Sequence, residues 1–354
     1  MKKTHKKYIF FSIFLSSLFF GLSIGCIYII DPAGINNRFD FGLIKDPALA
    51  YRTQKFVEIN EFKPNTIMLG GSRVHFLDTK DVQKYTQNKV YNIGFSQATL
   101  EEQYCFLQYS IENFDIQNVI IGLNLYPFSQ KLKPNPNNDF DKEILKNGFT
   151  LQKQLKHYLE VPLVKYFKEY HTNKYQEVLY KDGARTVYNQ IRYIDNKSWQ
   201  EREKNSNKLY NEFYNEYLIF GDSSFDYFKK IIQLCKDNNI EYKVFTTAIH
   251  QSQFKLLQKH NKMDIYFRWK KELVNITDYW DFMYLNSVTI NHENYIDPSH
   301  MRQEKGYLYF TRIFNDQTVD IPKDFGVLVT KENIDSHLQS LRNQIKAYDA
   351  SKLE

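Results

Sequence analysis

Three short segments constrain the fold of this chain more than any other feature. NTIMLGGSRV (65–74), KVYNIGFS (89–96) and QNVIIGLNLYPF (117–128) each hold an apolar run, and each run ends at a glycine. Strands buried on both faces read this way, because neither face selects for polar residues. Between the second and third lies TLEEQYCFLQYSIENF (99–114). There Thr99 and Glu102 fit a capping box, and Leu100, Cys105, Leu107 and Ile111 give a partial helical period. The rhythm returns in SSFDYFKKIIQLCKDNN (223–239), where Phe225, Phe228, Ile232 and Cys235 share one face. The strand EYKVFTTAIH (241–250) and a helix over about 254–275 follow. Strands alternating with helices predict an α/β fold, a three-layer αβα sandwich around a mainly parallel sheet. Sites in such sheets form at the carboxyl ends of the strands.

Residues from about 130 to 220 interrupt the pattern. KLKPNPNNDFDKE (131–143) is Pro/Asn-rich and loop-like, whereas LQKQLKHYLEVPLVKYFKEY (151–170) and KLYNEFYNEYLIF (208–220) read as helical. We take this basic, aromatic region as a helical insertion that covers one end of the sheet. The expected organisation is an anchor over 1–30, a juxtamembrane connection over 31–63, the α/β domain over 64–317, and a C-terminal helical extension over 318–354.

The anchor rests on the first 30 residues. Four lysines, Lys2, Lys3, Lys6 and Lys7, precede an uncharged run from Tyr8 to Ile30. That run makes a helix of about 35 Å, enough to cross a hydrocarbon core of about 30 Å. It is longer than the apolar region of a cleaved signal peptide, and no A-x-A-like site follows. Ser23 stands where a lipobox before Cys26 would want Leu. The lysines are expected to stay cytoplasmic, placing the chain from Asp31 onward outside the cell membrane as a single-pass protein.

Net charge is +6, and subtracting those four lysines leaves +2 for the body. That balance argues against an extended nucleic-acid surface, so no nucleic-acid partner is expected. Tyr and Phe are unusually common, 27 and 28 residues. Most should pack the core, although exposed rings could contact sugars. Cys105 and Cys235 lie on apolar helix faces and are read as buried free thiols rather than a disulfide. No His or Cys spacing resembles a metal site, and no cofactor is implied.

Four blocks at strand ends carry candidate chemistry. The first strand ends in Gly70-Gly71-Ser72-Arg73, the second in Asn92-Ile93-Gly94, and the third in Gly122-Leu123-Asn124. YIDPSHMRQEKGYLYF (295–310) adds Asp297 and His300. Taken singly, each has an ordinary reading: a helix cap for Ser72, a turn glycine, a turn asparagine, a capped first turn for Asp297 and His300. Together they form a set. Serine needs an adjacent general base, imidazole titrates near neutrality, and a carboxylate can fix its tautomer. A developing oxyanion needs fixed donors, for which the N–H groups of Ser72 and Gly94 and the Asn124 amide are candidates.

These blocks, in this order, resemble the SGNH hydrolases, also called GDSL-like lipases or esterases, over about 64–130 and 222–315. The anchor, DPAG, IMLGGSRV, VYNIGFSQAT, VIIGLNLYPF, FTTAIH and YIDPSHMRQEKG are similar to the membrane-anchored SGNH-like proteins of bacterial envelopes. That group includes proteins of alginate O-acetylation and teichoic acid D-alanylation. The resemblance implies a serine O-acyltransferase or esterase acting on O-acyl groups of an exported or cell-envelope glycan, through Ser72, His300 and Asp297. It further implies a multi-pass membrane O-acyltransferase as partner. A non-catalytic glycan-binding or scaffold protein is the alternative. Two departures stand out: GGS replaces GDS or GSS, and Leu125 replaces the Asp of G-x-N-D. Arg73, common in the G-S-x-R pattern of the envelope group, and Trp269 and Trp280 are candidate substrate contacts, with a salt bridge or core packing as the plain alternatives.

Overall fold

A computed structural model describes residues 2–36, 38–39, 41–42, 45, 50–133, 139–160 and 180–348. From the amino end the elements are α1 (Lys2–Ile30), α2 (Tyr51–Phe62), β1 (Thr66–Gly70), α3 (Ser72–His75), α4 (Thr79–Thr86), β2 (Val90–Gly94), α5 (Leu100–Asn113) and β3 (Asn118–Leu123). Next come α6 (Lys142–Asn147), α7 (Leu151–Glu160), α8 (Val187–Asp195), α9 (Trp199–Glu212), α10 (Asp226–Asp237), β4 (Glu241–Thr246), α11 (Gln251–Lys259), α12 (Met263–Ile276) and β5 (Tyr279–Asp281). The chain ends through β6 (Tyr295–Asp297), β7 (His300–Met301), α13 (Tyr307–Ile313), β8 (Val327–Val329) and α14 (Ile334–Ala347). The Pro/Asn-rich stretch over 134–138 and the expected helical continuation past 160 lie outside the described residues.

The chain divides into two compact units, residues 1–57 with 141–178, and residues 58–140 with 179–354. The first contains α1, whose span His5–Ile30 is long and apolar enough to cross a membrane. A small cluster closes its carboxyl-terminal end, with Ile27, Ala33, Ile35, Ala50 and Tyr158 buried. Asp31 takes a left-handed turn there, and its carboxylate accepts the N–H groups of Ile35 and Asn36.

The second unit is built on a six-stranded sheet of order β2-β1-β3-β4-β5-β8. The first five strands are parallel and β8 pairs antiparallel with β5. This is the α/β architecture that the apolar strands predicted. The segment after 317, expected to be helical, also supplies the edge strand β8. Strands β1 to β3 are buried throughout except at Asn118, since helices cover both faces. On one face Met68, Ile120 and Phe245 pack with Val82 of α4 and Leu308 and Phe310 of α13. Helix α5 begins at the expected capping box, Thr99 and Glu102 each satisfying the other's backbone N–H.

One buried charge network ties the far edge together. The Lys270 ammonium reaches both carboxylate oxygens of Asp281, at 2.6 and 2.5 Å, and the Met283 carbonyl. His337 of α14 and Thr246 of β4 complete the Asp281 shell. Burial alone would raise this carboxyl, but Lys270 and His337 outweigh it and hold it at about 2. The cysteines are free, with Cys235 buried and its thiol pushed up to about 12 by burial; Cys105 is only partly buried, less than its apolar face suggested.

The strand order has one consequence for function. The chain leaves β1 first towards β2 and later returns to β3 on the other side of β1, so connections diverge between β1 and β3. A crevice opens at such a switch point, beyond the carboxyl ends of the two strands. Ser72 follows β1 and Asn124 follows β3.

Candidate active site

Ser72 is the first residue of α3, immediately after the Gly70-Gly71 turn. Its backbone N–H has no partner among the described residues. A side chain at position 71 would meet Asn124, because a Cβ there would lie 2.8 Å from Nδ2. The GGS departure therefore has a local cause: glycine lets the Asn124 amide close over the turn. Asn124 Oδ1 accepts the Tyr126 N–H at 3.0 Å, which fixes the amide with Nδ2 towards Gly71.

Asp297 and His300 lie on a tight two-stranded hairpin, β6 and β7. This differs from the capped helical turn that the local sequence suggested. Asp297 Oδ1 accepts the N–H groups of Ser299 at 2.7 Å and His300 at 3.1 Å, so the carboxylate itself folds the turn. The His300 Nδ1 sits 3.0 Å from both carboxylate oxygens. An ionised carboxylate can only accept, so the proton belongs on Nδ1 and Nε2 is left as the acceptor. Nε2 lies 2.9 Å from the Ser72 Oγ. Burial alone would raise the Asp297 carboxyl, but His300 and the two N–H groups outweigh it and hold it below its ordinary value.

The hairpin is braced from several elements. Arg202 of α9 donates to the carbonyls of Ile296 and Tyr295. The Pro298 carbonyl accepts the His250 N–H at 2.9 Å. Phe76 sets its ring edgewise against His300, 5.1 Å between centroids, and the Arg185 guanidinium lies over the Phe76 ring, 4.8 Å from its centroid. Ser72, Asn124, Asp297 and His300 all line one cavity of about 910 Å³. The 185–217 part of the insertion supplies much of its wall, including Arg185, Gln190, Tyr210 and Tyr217. Nothing in the sequence singled these residues out beyond the aromatic and basic character of the region.

Four expected site residues are placed otherwise. Gly94 does not line the cavity. Its N–H donates to Asn92 Oδ1 at 2.8 Å, and a Cβ would lie 2.4 Å from the His75 nitrogen. Gly94 thus allows α3 to lie on β2, while buried Asn92 binds the carbonyls of Val74 and Leu77. The turn through Ser96, Gln97 and Ala98 reaches the cavity instead, with Gln97 in the left-handed region at φ 56°. Arg73 is buried behind the site, with Nε donating to Ser299 Oγ at 3.2 Å and Nη1 to Thr247 Oγ1 at 3.4 Å. It makes no substrate-facing wall. Trp269 is fully buried against Phe128, and Trp280 packs beside Phe282; neither lines the cavity. Trp269 is a core residue because α12 turns it inward, and Trp280 is a partly buried residue of β5 packed against the core.

No family model matches the chain, and no curated protein matches it. Among solved structures, a chain from Bacteroides fragilis NCTC 9343 described as a "putative acylhydrolase" is similar, with 13% identity and a TM-score of 0.36. The match covers 83% of this chain and 99% of that one. Similarity at that level adds nothing to what the site geometry supports.

Proposed function

We propose that this protein is an SGNH-type serine esterase or O-acyltransferase, with Ser72 as nucleophile, His300 as general base and Asp297 as its orienting carboxylate. The observation that carries the proposal is the 2.9 Å approach of His300 Nε2 to Ser72 Oγ, with the carboxylate on the opposite ring nitrogen. In the first half-reaction Oγ attacks the ester carbonyl carbon and Nε2 takes its proton. The oxyanion is held by the Ser72 N–H and Asn124 Nδ2, and the turn through Gln97 takes the place expected of Gly94. Collapse expels the alcohol, which receives the proton from His300, and leaves an acyl-serine. In the second half-reaction water or a sugar hydroxyl attacks that ester as His300 removes its proton, and collapse breaks the acyl–Oγ bond while His300 returns the proton to Ser72 Oγ. Water as acceptor gives hydrolysis and a sugar hydroxyl gives transfer.

A glycan is the substrate class that the cavity walls favour. Tyr126, Tyr210 and Tyr217 offer rings for sugar faces, and Gln190 and Asn196 offer amides for hydroxyls. The cavity is near the upper end of the volume usual for a small-molecule site, about 1,000 Å³. With α1 as an uncleaved anchor and the lysines cytoplasmic, the site faces the envelope side of the membrane. There it acts on O-acyl groups of an exported polymer, beside a multi-pass O-acyltransferase that delivers the acyl group. The test is intact mass measurement of the purified protein after exposure to an activated acetyl ester. An acetyl adduct on Ser72, absent from Ser72→Ala, is the expected result. A folded protein with no adduct at Ser72 would sink the proposal.

A further inference from the structure

Among the described residues, the first unit carries exposed apolar side chains on α7 and at Phe39 and Phe41 as well as on α1. On α7 Leu151, Leu155 and Leu159 recur every fourth residue and are 69%, 39% and 54% exposed. Residues so spaced form one stripe along a helix. The flank of this stripe packs on α1: Tyr158, one turn beyond Leu155, is buried with Ile27, and its ring meets Tyr28 edgewise at 5.7 Å. Phe39 and Phe41 add two exposed rings stacked at 6.2 Å, and Phe39 also meets Tyr28 edgewise. Arg38 lies over the Tyr28 ring and binds its hydroxyl at 2.6 Å.

The position of this patch along α1 decides what covers it. Its contacts on α1, at Ile24, Ile27 and Tyr28, fall in the last two turns of the apolar span that ends at Ile30. Ile24 is only about 9 Å from Ile30 along the axis. The uncharged run is about 35 Å long against a hydrocarbon core of about 30 Å, so only a few residues can stand clear of it. A helix fastened to those turns lies at the depth of the headgroups. Aromatic rings and amphipathic helices favour that layer, the apolar stripe entering the acyl boundary and the charged face staying wet. Exposed Lys156 and Arg38 are placed to meet lipid phosphates.

We infer that α7, with Phe39 and Phe41, is an interfacial collar that seats the first unit in the outer leaflet beside its anchor, with lipid as its occupant. The inference rests on α1 spanning the bilayer. The test uses the full chain in phosphatidylcholine–phosphatidylglycerol vesicles. Cys26 and Cys105 are replaced by Ala, and Cys235 is kept because it is buried. Single nitroxide labels at Leu15→Cys, Glu160→Cys, Leu155→Cys and Leu159→Cys are compared for collision with oxygen and with a water-soluble nickel complex. The expected result is a lipid-like ratio at 15, 155 and 159 and a water-like ratio at 160. Lipid-like Leu15 with water-like 155 and 159 overturns the collar but leaves the anchor standing. Labels at 155 and 159 shielded from both reagents show a protein cover and also overturn it. A water-like Leu15 overturns the anchor and the collar with it. The active-site reading is untouched by any of these outcomes.

Discussion

Arg73 Nε donates to the Oγ of Ser299 at 3.2 Å across 226 residues of sequence, joining the residue after Ser72 to the residue before His300. Tyr210 of the insertion reaches the same oxygen at 2.5 Å. One buried guanidinium therefore sets the spacing between the two halves of the candidate triad. Arg73→Lys is expected to lower kcat for an acetyl ester by about 10- to 100-fold with KM little changed, since misplacement of the base raises only the barrier. Ser299→Ala should do the same, and the double variant should be no worse than the poorer single. Additive losses would mean that the two residues act separately.

The carboxylate has a narrower task, to hold the His300 proton on Nδ1. Asp297→Asn is expected to reduce turnover by about 10³–10⁴-fold, because an amide can stabilise the wrong tautomer and cannot balance the imidazolium. The loss should appear in kcat and in the rate of the Ser72 adduct, measured by stopped-flow with an activated ester. A loss below tenfold would remove Asp297 from the mechanism.

Asn124 and Gly71 form a second coupled pair. Asn124→Ala removes the proposed oxyanion donor and should reduce kcat by about 10²–10³-fold. Gly71→Ala should act in the same direction, since its Cβ would lie 2.8 Å from Asn124 Nδ2 and displace it. In a double-mutant cycle the Gly71→Ala cost should largely vanish once Asn124 is Ala.

The Lys270–Asp281 pair is fully buried. Lys270→Met removes the cation but leaves the carboxylate with His337 and Thr246. That should destabilise the protein by about 3–5 kcal/mol, the usual cost of an uncompensated buried charge. Thermal unfolding should show a fall in Tm of roughly 10 °C, without a change in the rate of adduct formation at low temperature.

Asp81 gives a pH test away from the site. Burial, with the Asp78 charge adding to it, pushes this carboxyl up to about 7. Between about pH 4 and 7 the folded chain keeps a proton that the unfolded chain has lost. Its contribution is therefore full below about pH 4 and is lost as pH rises through 7. Asp81→Asn should raise Tm at pH 8 and leave it nearly unchanged at pH 4. Equal gains at both values would show that ionisation is not the cause.

The sequence by itself determined the alternation of buried strands and helices, the apolar span of α1, the α5 capping box and three of the four blocks, those of Ser72, Asn124 and Asp297 with His300, that meet at the cavity. These were legible because burial on two faces, helical period and capping chemistry are local. Spacing along the chain did not decide which groups face the cavity. Gly94 looked like an oxyanion donor, yet α3 lies on it and Asn92 takes its N–H. Arg73, Trp269 and Trp280 looked like substrate contacts, yet Arg73 and Trp269 are buried and Trp280 packs beside Phe282 outside the cavity. The insertion residues Arg185, Gln190 and Tyr210 had no mark of their own and became walls only through packing. Tertiary structure alone also turned Asp297 and His300 from a helix cap into a hairpin. Side-chain direction depends on which elements pack against a residue, and those partners lie up to hundreds of positions away.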